Sequence, residues 1–132
     1  MNCELCQEFA DILEGTILTS TDGLCAVSRE RNIDVQIRDR ETHSPLVLAA
    51  LFSFEDMDEE GRTLNLGETV ILQGEINPFI TALRERDITV TALHNHWLFE
   101  KPRLFYIHFL SIEEPLVFAQ KVAEAFQVFE RG

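Results

Sequence analysis

The apolar positions of this chain change period several times, and each change predicts an element. Between Cys3 and Leu13, Leu5, Phe9, Ile12 and Leu13 recur at i, i+4, i+7 and i+8, one face of a helix that Gly15 is expected to stop. Residues 16–19, 24–28 and 33–38 predict short strands. In the last of these, Ile33, Val35 and Ile37 alternate with Asp34, Gln36 and Arg38, so one side is wet. Leu46 to Phe52 is an unbroken apolar run, expected as a buried strand, with a short helix as the alternative at that length. Residues 69–72 predict another strand. Asn77-Pro78 then reads as N-cap and first helical position, for a helix to about Arg86 that buries Phe79, Ile80 and Leu83. Residues 88–96 and 103–110 predict two strands joined by a turn over 97–102. Glu114-Pro115 opens a last helix with Ala119, Val122, Ala123, Phe126 and Phe129 as its buried stripe. This order predicts an α+β fold: a mostly antiparallel sheet with an N-terminal, a middle and a C-terminal helix packed on it, one domain over residues 1–132.

Composition changes the picture in two ways. The chain is 45% apolar, enough for a core without disulfide staples, and its net charge is −12. Negative charge repels phosphate backbones and anionic lipid, so no nucleic-acid and no membrane partner is expected; a small molecule or a metal ion is. No apolar run reaches the roughly 18 residues of a membrane span, and the first residues show neither a basic nor an apolar leader segment. Cys3, Cys6 and Cys25 make an odd count that fits a reducing, cytoplasmic setting. Cys3 and Cys6 are expected one helical turn apart beside the core, since no strand precedes them as in a redox CxxC. The acidic run from Glu55 to Gly61 lacks the spacing of a calcium loop and reads as solvated.

The chemistry concentrates in Ala92-Leu93-His94-Asn95-His96-Trp97 and in Arg103 to Phe109, which hold three of four histidines and the only Trp and Tyr. Side chains two apart on a strand share a face, so His94 and His96 extend the face of Val90 and Ala92, and His108 lies with Leu104, Tyr106 and Leu110. A five-residue loop, 99–103, would set His94 opposite His108 and His96 opposite Tyr106. Opposed Cβ atoms lie about 4.5–5.5 Å apart, and three imidazoles so placed converge on one ion. Such a set leaves a position open for water or substrate. Glu75, between a strand and the middle helix, is the expected fourth ligand or general base. Arg103 either receives an anionic substrate group or makes a surface salt bridge, and Trp97, with Tyr106 a further substrate-binding candidate, either walls the pocket or caps the end of the core. The competing reading of the same histidines is a structural polar cluster, each imidazole satisfied by its own hydrogen bond.

Glu75-Ile76-Asn77-Pro78, then Val90 to His96, then Pro102-Arg103-Leu104-Phe105 with His108, resemble the LppY/LpqO homologues, bacterial proteins of unknown function. The likeness runs from about Phe9 to Phe126. It departs at Gly67-Glu68, where the family usually has Gly-Asp, and at Glu113-Glu114-Pro115, where it usually has Gly-Asp-Pro. Many relatives resemble secreted or lipid-anchored proteins. The resemblance implies a site at these residues and no particular reaction. Three functions follow. One is a metal-dependent hydrolase-type enzyme, with His94, His96 and His108 on a divalent transition metal, zinc foremost, and Glu75 as ligand or base. The second is a metal- or ligand-binding module without turnover. The third is a structural domain that assembles as a homo-oligomer through its apolar hairpin.

Overall fold

The computed structural model describes residues 3–130. Six strands form one sheet in the order β1-β2-β5-β6-β9-β7, every neighbouring pair antiparallel. They are β1 (Thr16–Ser20), β2 (Leu24–Glu30), β5 (Ala49–Glu55), β6 (Thr63–Leu72), β7 (Thr89–His94) and β9 (Leu104–Glu113). A small second sheet, β4-β3-β8, is built from β3 (Val35–Ile37), β4 (Arg40–Thr42) and β8 (Glu100–Lys101). The helices are α1 (Cys3–Leu13), α2 (Pro45–Leu48), α3 (Ile76–Glu85) and α4 (Pro115–Phe126). The expected α+β architecture is what forms. No helix among the described residues is long and apolar enough to cross a membrane.

One side of the large sheet carries the main core. Phe9 of α1, Phe79 of α3 and Phe118 and Phe126 of α4 pack there on Val27, Phe52, Phe54, Ile71, Ile107 and Phe109. Edge-on pairs such as Phe9–Phe54 (4.8 Å between centroids) and Phe79–Phe109 (5.9 Å) lock the two layers. The other side is covered only at one end. There Val35, Val47, Leu48, Val70, Leu104 and Tyr106 make a second core under the small sheet and α2.

Several local expectations change, each for a physical reason. The run after His43 splits: Ser44 Oγ accepts from Leu46 N at 3.1 Å, and Pro45–Leu48 is a short helix before β5 begins. Asn77 is not an N-cap. A single 3-10 turn, Gln73–Glu75, leads into α3 at Ile76, so Asn77 sits exposed inside the first turn. Gly15 does not carry the left-handed turn that ends α1; Glu14 does, at φ 56°. Gly15 N donates to Ala10 O and Glu14 N to Asp11 O, the two bonds of a Schellman end. Gly15 is needed for space instead, since a Cβ there would lie 2.4 Å from Val27 Cγ1. The cysteines are not all free. Cys6 and Cys25 form a disulfide tying α1 to β2, with Cα atoms 5.6 Å apart, while Cys3 is free and exposed. Met1 and Asn2, part of the stretch read for a leader, lie outside the described residues.

Two measurements test this account. Gly67 faces Phe109 across β6 and β9, and a Cβ on Gly67 would lie 2.3 Å from that ring. Gly67→Ala is expected to cost about 1–3 kcal/mol of unfolding free energy in urea, because the central ladder has no room to shift. Ser44→Ala is expected to cost about 1 kcal/mol as a lost cap, whereas Asn77→Ala stays within about 0.5 kcal/mol of the parent. The reverse ranking would move the helix starts.

Candidate metal centre

β9 sorts its side chains cleanly. Phe105, Ile107 and Phe109 join the core under the helices, and Leu104, Tyr106 and His108 point to the opposite side. β7 reaches that opposite side through a bulge. Val90 pairs with Phe109 and packs toward the helices, yet Ala92 pairs with His108, so Thr91 is an extra residue that flips the alternation. His94 therefore does not share a face with Val90, as regular alternation predicted. It pairs with Tyr106, not His108, two residues along from the expected register. The parity of His94 against His108 survives a shift of two, so both still share one face.

The shift follows from the connection between the strands. Residues 95–103 do not form a five-residue hairpin; Glu100 and Lys101 leave to pair with Ile37 and Gln36 of β3. Glu100 organises this loop. Its buried carboxylate accepts from Asn95 Nδ2 at 2.6 Å and Leu104 N at 3.3 Å, and meets Arg103 Nε at 3.5 Å. Burial alone would raise the Glu100 carboxyl, but these hydrogen bonds and the Arg103 charge outweigh it and hold the group below the usual range. Asn95 Oδ1 in turn accepts from Trp97 N, an Asx turn that aims His96 back over the sheet.

His96 lands flat on Tyr106, ring centroids 4.0 Å apart. The Tyr106 hydroxyl is saturated: it donates to Val47 O and accepts from Trp97 Nε1, both at 2.8 Å. Burial pushes this phenol up, against the Trp97 bond. Tyr106 and Trp97, expected as pocket walls, thus act first as the platform that fixes His96. Arg103 is exposed and lines, with His96 and Trp97, a cleft of about 360 Å³.

The three histidines do come together. His94 lies 4.5 Å from His96 and 4.8 Å from His108 between ring centroids, and ligand nitrogens of all three fall within 4.8 Å of one another. Imidazole nitrogens on an ion of this kind lie about 2.0–2.1 Å from it, so the three would have to draw closer to share one. His108 Nε2 is buried and has no hydrogen-bond partner, so the structural reading, in which each imidazole is satisfied internally, fails at His108. Burial pushes the His96 imidazole down, His94 and His108 push it further, and Glu68 opposes them. The neutral, ligating form is favoured.

Glu75 lies elsewhere. Its oxygens take Arg31 Nη1 at 2.7 Å and Nη2 at 2.9 Å, and Oε1 also accepts from Leu72 N at 2.9 Å. Arg31 is itself pinned over Phe129, 3.8 Å from the ring centroid. Glu75 also sits past Leu72, whereas His108 faces Glu68, four residues and about 13 Å back along β6. The carboxylate beside the histidines is Glu68, half-buried, in register with His108. Reasoning from the sequence passed over Glu68, Asn95 and Glu100. Asn95 between two histidines carries a local Asx signal, but Glu68 becomes visible only through the β6–β9 register.

A family model described as Domain of Unknown Function (DUF1259) matches residues 7–128. No curated protein and no solved structure matches the chain.

Glu100 makes a pH prediction. A carboxyl held below its ordinary value stabilises the fold fully above the unfolded pKa, and that contribution is lost as pH falls through the folded value. Glu100→Gln is therefore expected to lower stability at pH 7 and to flatten its decline below about pH 4.3, measured by thermal melts across pH. An unchanged acid limb would leave Glu100 without that role.

Proposed function

The chain belongs to this family of unassigned activity, and from that premise we propose that His94, His96 and His108 hold a divalent transition metal in a hydrolase-type enzyme. The observation that carries the reading is the buried, unpartnered Nε2 of His108, on a side chain whose ligand nitrogen lies within 4.8 Å of those of His94 and His96. Imidazole-only sets suit zinc first, and three protein ligands leave a coordination position open. When bound, the ion supplies a Lewis acid on this sheet face.

The chain's own residues supply the rest. Glu68, beside His108, takes the general-base role expected of Glu75 and accepts the proton of an attacking water. Arg103, exposed beside His96, faces an anionic part of a small substrate. Tyr106 and Trp97 hold His96 in place through stacking and hydrogen bonds. The likeness of residues 90–96 and 102–108 to the bacterial LppY/LpqO homologues agrees with a site here. The Cys6–Cys25 bond argues for an oxidising compartment over the cytoplasm. A binding module without turnover is the second reading, favoured by the exposure of His94 and His96.

Elemental analysis of untagged protein is expected to find about one transition metal per chain, and the His94→Ala/His96→Ala variant none. Absence of metal, with no thermal shift on adding zinc, nickel, manganese or iron, would sink the reading. Glu68→Gln should keep the metal and lose turnover of any substrate found. Glu75→Gln should keep the metal too, but cost about 1–3 kcal/mol of stability through the broken Arg31 pair.

A further inference from the structure

The side of the large sheet away from the helices is only partly roofed. The small sheet and α2 cover Val70, Leu104 and Tyr106, and the covering stops at the histidines. Beyond them runs an open groove of about 370 Å³, within the size range of small-molecule sites. A solvated sheet face is ordinarily polar. This one is leucine-rich: Leu18 is 59% exposed, Leu66 39% and Leu51 37%.

The strand registers show how the groove is arranged. Glu68 pairs with His108 on one side and Leu51 on the other, and both Glu68 and His108 line the groove. One row over, Leu66 pairs with Leu110, again inside it. The polar end is thus Glu68 with His108, the one candidate ligand that lines the groove, and the apolar floor begins at Leu51 across from Glu68 and at Leu66 two residues along β6. From β9 across β6 and β5 to β2 the Leu66 row runs Leu110, Leu66, Ser53 and Ala26 over about 14 Å, three strand spacings, with Leu51 flanking it in the Glu68 row. A groove polar at one end and mostly apolar along its length, with Ser53 the polar break, fits a ligand built the same way.

We infer that the site takes a carboxylic acid or its ester with an apolar chain, the carboxyl group at the histidines and the chain across Leu110, Leu66 and Leu51. This rests on the metal reading above and adds the substrate class to it. The head group is recognised by the ion and the chain by burial, where each fully buried methylene is worth about fourfold in affinity.

The test titrates zinc-loaded protein with butanoate and octanoate by calorimetry. Octanoate is expected to bind at least about tenfold tighter, less than the full per-methylene gain because the groove is open on one side. Leu66→Gln and, separately, Leu51→Gln should shrink that preference without changing zinc affinity; both positions are solvent-exposed, so the fold survives. Equal affinity for the two acids with zinc bound overturns this inference and leaves the metal reading standing. Octanoate binding that is indifferent to zinc also overturns it, because the head group is then not at the histidines. A dimer in sedimentation that Leu66→Gln abolishes, without chain-length preference, assigns the face to a second copy instead. Failure to bind zinc at all removes the metal reading, and this one with it.

Discussion

The ten-residue antiparallel ladder between β6 and β9 is the constraint on which the rest depends. It is the longest pairing of the large sheet, and its register decides what faces what. Leu72 against Leu104 and Val70 against Tyr106 build the second core, and Glu68 against His108 builds the candidate site. Because side chains alternate, a slip of one residue would send His108 and Tyr106 under the helices and Ile107 and Phe109 into solvent. The burial of Phe109 and Ile107 against α3 and α4 is what forbids that slip. The candidate site is therefore held in place by aromatic packing on the far side of the sheet.

The histidines are assembled by a sequence of local devices that all hang from this ladder. The bulge at Thr91 turns β7 over so that His94 reaches the unroofed side. The pairing of Glu100–Lys101 with β3 pulls the loop away from a tight hairpin. Glu100, Asn95 and the Tyr106–Trp97 pair then set His96, which lies beyond the end of its strand. The positioning thus uses polar groups whose own hydrogen bonds are satisfied, and leaves one imidazole nitrogen on His108 without a partner. In a buried setting that nitrogen is the group that needs a ligand.

Much of the fold was legible along the chain. The helical stripes of α1 and α4 and the alternation of β9 are local properties, and they survived. The His94, His96 and His108 set was also legible, because an error of two in register leaves parity intact. Glu75 was misplaced for the opposite reason. Its neighbours in sequence suggest an active carboxylate, but its charge is taken by Arg31, forty-four residues earlier. Glu68 has no local signal at all.

Periodicity and residue type determined the main helices and strands and which residues carry the candidate site, since backbone sterics and burial act over a few residues, while the bulge at Thr91 and the Asn95 turn decided how His94 and His96 reach His108. Only the tertiary structure decided which carboxylate accompanies them, which end of the sheet is roofed, and that Cys6 meets Cys25. Those outcomes depend on contacts between segments far apart in the chain, whose register is set by the packing of the whole core and by no single stretch.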